Sequence, residues 1–129
     1  MKRIFICLFL CIICFFNIHG QSTYSQYKKE KSNLSKSKMA LELWSYYLRF
    51  HLDSLSVLGL DLIKENKTRP HPFVEAVYNR ILGCYDVRSG SVKNGLHLLN
   101  SSKATFLHLG DEKLISEAYN EIGIAYLLM

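Results

Sequence analysis

The sequence predicts an all-α chain of antiparallel helical hairpins stacked side by side. Three observations carry that expectation. Tyr78-Asn79-Arg80-Ile81 returns as Tyr119-Asn120-Glu121-Ile122, 41 residues on, and the echo runs to Tyr85 and Tyr126. A repeat at that period marks an array whose units bury their apolar faces against their neighbours. From Met39 onward, apolar residues recur at helical spacing, with no alternating run long enough for a strand. Short turn signals separate these segments, which forces consecutive helices to run antiparallel.

Five helices follow in order. The first, from about Ser37 to Phe50, carries Leu41, Trp44, Tyr47 and Leu48 on one stripe. Asp53 is expected to cap the second, with Leu55, Leu58, Leu62 and Ile63 inward. Asn66 to Pro72 breaks the chain, and Pro72 starts the third helix, where its missing N–H costs nothing. That helix runs to about Val87 and buries Val74, Val77, Tyr78, Ile81, Cys84 and Tyr85. After a turn at Arg88-Ser89-Gly90, Ser91 caps the fourth, which carries Val92, Leu96, Leu99, Phe106 and Leu107 and stops at Gly110. Asp111 caps the fifth, with Leu114, Ile115, Ala118, Ile122, Ala125 and Tyr126 inward.

Residues 1–20 stand apart. Lys2 and Arg3 precede thirteen unbroken apolar residues, Ile4 to Phe16, and a polar exit ends at Gly20. This is the pattern of a secretory signal peptide, cleaved after Gly20. A membrane span needs about 20 apolar residues, more than this run offers. Cys7, Cys11 and Cys14 leave with the leader, so Cys84 is the one cysteine of the expected mature chain. It falls on an apolar helix face, as a small core residue does.

Residues 21–38 hold five Lys against one Glu, a net charge of +4, with few apolar side chains. They read as a basic polar linker that can bring the chain close to an anionic membrane surface. The domain proper is then 39–129, a piece near neutrality with no basic stripe, which argues against nucleic acid as a partner.

No catalytic constellation appears, and neither a metal nor a cofactor is expected. His97 and His108 share a helix face but lie about 16 Å apart along the axis, too far to hold one ion. Glu117 and Glu121, one turn apart, read as a solvated helix face.

Tyr119-x2-Ile122-Gly123-x2-Tyr126 resembles the first-helix core of a tetratricopeptide repeat, an aromatic, an aliphatic-small pair and a second aromatic. Tyr78-x2-Ile81-Leu82-x2-Tyr85 has the same spacing, with Leu82 in the small position and Gly83 one residue late. Gly90 and Gly95 match the turn Gly and the small residue of the second helix. Leu107-His108-Leu109-Gly110-Asp111 resembles the longer repeats of bacterial sensor and regulator proteins. The match extends from about Pro72 to Met129; Trp44-x2-Tyr47-Leu48 fits a first unit less well. The resemblance implies a stacked solenoid with a concave groove that binds a protein or peptide. Asn79, Asp86 and Asn120 are its candidate groove residues. Tyr78, Ile81, Tyr85, Tyr119, Ile122, Gly123 and Tyr126 are its repeat core.

The function expected is therefore non-enzymatic binding, in an exported, periplasmic or extracytoplasmic sensor part of a bacterial signalling or regulatory protein. The uncapped end at Ala125 to Met129 predicts an N-terminal piece of a longer array. A structural module that self-associates through the open face of its last helix is the alternative.

Overall fold

The computed structural model describes residues 24–129, and within them every regular element is a helix. The expected leader, and residues 21–23 of the expected linker, lie outside the described residues. A helical segment at 24–29 (α1) precedes α2 (Asn33–Phe50), α3 (Leu52–Thr68), α4 (Pro72–Arg88), α5 (Val92–Leu109) and α6 (Glu112–Leu127). Among these residues no helix is long and apolar enough to cross a membrane.

The boundaries follow local chemistry. Ser32 caps α2 by accepting from the Ser35 N–H, so the helix starts four residues before the Ser37 expected. His51 is the whole connection to α3 and makes no side-chain cap bond. Asp53 is not the cap; it sits in the first turn, where a carboxylate faces the positive pole. His71 caps α4 through its ring nitrogen, with Pro72 in the first turn as expected. Ser91 precedes α5 without a side-chain cap bond; Gly90 supplies the left-handed turn there, at φ 98°. Gly110 ends α5 at φ 71°, and Asp111 accepts from the Leu114 N–H to start α6.

From α2 to α6, each helix packs on its chain neighbour. In addition, α4 packs on both α2 and α6, while α3 and α5 do not pack on each other, nor α2 on α6. So α4 is the centre of the assembly. The core runs from Leu43, Leu55, Leu58 and Leu62 through Val74, Val77 and Ile81 to Phe106, and continues as Cys84, Val87, Leu99, Ile122 and Ala125. Trp44 and Leu48 of α2 touch both parts.

Two small-residue contacts set the helix spacing. A Cβ on Gly95 of α5 would stand 2.7 Å from the Gly83 carbonyl oxygen of α4. On the other side of α4, Leu82 fills the space over Gly59 of α3, within 2.6 Å of where a Cβ would lie. Gly83, not Leu82, is therefore the small residue of the α4–α5 approach, one position later than the repeat pattern predicts.

The described part of the expected linker is folded. Tyr27 is fully buried, its hydroxyl donating to Asp61 of α3 at 2.8 Å, and Tyr24 stacks on it. Lys36 is buried too, with its ammonium 2.9 Å from Glu65 and 3.4 Å from Asp61. The basic charge read as a tether is thus partly neutralised by two carboxylates of α3, and two tyrosines supply the apolar surface that a tether lacks.

Candidate functional site

The α4 stripe contains one charged residue among apolar ones. Arg80 lies between Val77 and Cys84 at helical spacing and is only 1% exposed. A guanidinium taken from water needs compensation, and α2 and α6 both provide some. Its centre stands 4.3 Å from the Trp44 ring of α2, a cation–π contact. Its Nη1 donates to Glu117 of α6 at 2.6 Å. One turn beyond Glu117, buried Glu121 accepts from Arg88 at 3.2 Å. Glu117 and Glu121 are therefore ion-pair partners of α4, not the solvated face expected. Their cations come from a helix more than 30 residues away, which local spacing does not reveal.

Arg80 is not fully satisfied. Its Nε and Nη2 are buried with no hydrogen-bond partner among the protein atoms. Those two groups form the side edge of the guanidinium fork, with parallel N–H bonds that match a carboxylate.

Trp44 and Glu117 also form part of an open cleft of about 370 Å³ between α2 and α6. From α2 come Lys38, Leu41, Glu42 and Ser45; from α6 come Lys113 and Leu114. The lining mixes two cations, two anions and apolar surface from Leu41, Leu114 and Trp44. That combination suits a peptide segment, which offers both polar backbone and side chains. Behind Trp44, burial pushes the Cys84 thiol up to about 12, and the field of Glu121 adds to it. Cys84 is a core residue, as its position in the sequence predicts.

The candidate groove residues do not line this cleft. Asn79 is buried and turned toward α5, where its amide makes a long contact of 3.5 Å to the Ser101 hydroxyl. Asp86 accepts from Asn94, also on α5. Both belong to the α4–α5 seam, and the residue after Asn79, about 100° around the helix, is the one held by Trp44 and Glu117. Asn120 is exposed on α6.

Of the expected repeat core, Ile81 and Ile122 are buried, and Tyr78 and Tyr85 are half-buried. Tyr119, Gly123 and Tyr126 are exposed, and nothing stands within 4 Å of a Cβ built on Gly123. Leu107 of α5 is also exposed. The repeated positions differ because α4 has neighbours on every apolar side, whereas among the described residues α6 packs only on α5 and α4. Tyr119 instead carries Lys103 of α5 over its ring at 4.9 Å.

Among the described residues no group of three His, Cys, Asp or Glu is placed to hold a metal ion. No family model, curated protein or solved structure matches the chain.

Proposed function

We propose that this chain is a non-enzymatic, tetratricopeptide-like scaffold that binds a peptide or partner helix in the cleft between α2 and α6. The observation that carries the reading is the cleft itself: two helices that do not pack together, bridged by α4, with apolar, cationic and anionic side chains facing one space. The array reading draws support from the packing of α2, α4 and α6 in succession and from the Gly83–Gly95 approach. A role as the extracytoplasmic sensing part of a bacterial signalling protein rests on the sequence of residues 1–20 and on the repeat length alone.

The test is a titration of the full chain with pooled, acetylated and amidated hexapeptides, read by the emission of Trp44, the chain's one tryptophan. The reading expects a saturable change that Ser45→Phe, which fills the cleft, abolishes. No change, or one indifferent to Ser45→Phe, would overturn it.

A second reading has its own observation. Tyr126, Leu127, Leu128 and Met129 are each more than half exposed at the end of α6, with Leu127 at 87%. A contiguous apolar patch of this kind marks an interaction surface, and self-association would cover it. Sedimentation equilibrium of the full chain and of Leu127→Glu decides: a dimer lost in the variant supports assembly, a monomer in both removes it.

A further inference from the structure

We infer that the cleft recognises its partner through a carboxylate, which takes the free Nε and Nη2 of Arg80. The inference rests on the cleft-binding reading and names the chemistry of the same site. Three observations carry it. Arg80 is buried, yet two of its three nitrogens have no protein partner. Desolvated donors left in that state are costly, and charged ones most of all. The unpaired nitrogens are the two that together donate side-on to a carboxylate, whereas Glu117 accepts only from Nη1. And the two residues holding Arg80, Trp44 and Glu117, are themselves walls of the cleft. Arg80 is not itself on the lining, so a carboxylate reaches the guanidinium only where Trp44 or Glu117 gives way.

Lys38 and Lys113 on the lining are balanced by Glu42 and Glu117, one pair from each helix, so the preference for an anion comes from Arg80 behind the walls. Leu41 and Leu114 give the rest of the segment an apolar seat. Glu117 is then both a partner of Arg80 and a competitor for the incoming carboxylate. The ligand expected is a peptide segment with Asp or Glu beside an aliphatic side chain.

Two pooled hexapeptide libraries, alike except for a fixed central Glu or Gln, are titrated against the full chain with Trp44 emission as the signal. The Glu pool is expected to bind at least about tenfold more tightly, the value of one charge-assisted hydrogen bond. Arg80→Lys keeps the charge but loses the fork, so it should erase that preference. Glu117→Gln leaves Arg80 in place and should tighten the Glu pool several-fold, which keeps the test decisive if Arg80→Lys does not fold. Equal binding of the two pools would overturn the carboxylate while leaving the cleft reading intact. Binding of neither pool would overturn both.

Discussion

Gly83 and Gly95 press backbone against backbone: each would place a Cβ within 3.0 Å of the other's carbonyl oxygen. That contact fixes how closely α4 and α5 approach, and so how α4 presents Arg80 to α2 and α6. Neither side can yield by turning a side chain, because the obstructing atoms include main chain. Gly95→Ala is expected to destabilise the chain by about 1–3 kcal/mol, as overpacking does. Gly123 has the opposite setting, a helix interior with open space around it. Gly123→Ala should stabilise by about 0.5–1 kcal/mol. Denaturant melts of the two variants check the pair, and equal signs would contradict the packing described.

Arg80 and Glu117 invite a double-mutant cycle. Glu117→Gln removes the countercharge of a buried guanidinium and leaves it a neutral amide oxygen and the Trp44 ring, and should cost about 1–3 kcal/mol. Arg80→Leu removes the charge together with its two unpaired donors. Combined, the substitutions should cost less than their sum, with a coupling of about 0.5–3 kcal/mol. Additive effects would show that the pair contributes no interaction energy.

The packing of α1 on α3 is pH-dependent at both ends of the scale. Burial raises Asp61, but the Tyr27 hydroxyl, Lys36 and Lys28 outweigh it and hold the carboxyl below its usual range. A carboxyl lowered in the folded state stabilises it above the ordinary value near pH 4 and ceases to do so as pH falls through the lowered one. Tyr27 has the opposite sign: burial and then the Asp61 contact raise its hydroxyl far above the ordinary tyrosine value. Its contribution is complete below about pH 10 and fades as pH rises beyond it. Near-UV circular dichroism should show the stacked Tyr24–Tyr27 signal fading below about pH 4 and above about pH 10. Asp61→Asn should flatten the acid limb.

Cys84 should behave as a buried thiol. Burial, then Glu121, raises it to about 12, so little thiolate forms near neutrality. A disulfide reagent at pH 8 should label it only as fast as the chain opens. Labelling at the rate of a free thiol peptide would mean that α2 and α4 part readily.

Helix order and the α4 to α6 turns were legible because their signals are local: Pro72 at a helix start, Gly110 in a left-handed cap, Asp111 as a cap. What was not legible depended on partners far along the chain. Lys36 reads as solvated until Asp61 and Glu65 are seen beside it. Tyr24 and Tyr27 lie in too short a segment to display a helical stripe. The site itself left one trace, a lone Arg80 inside an otherwise apolar stripe of α4. The repeat drew attention to Asn79 instead, one residue away and facing α5. The same repeat placed Tyr126 inward, but its depth depends on what packs against α6, which the spacing does not contain.

The most direct test of the account is an amide chemical-shift map of the full chain titrated with the Glu-containing hexapeptide pool. The account predicts shifts concentrated at Leu41, Trp44 and Ser45 of α2 and at Lys113, Leu114 and Glu117 of α6. Shifts confined to Tyr126–Met129, or scattered evenly over the surface, would contradict it.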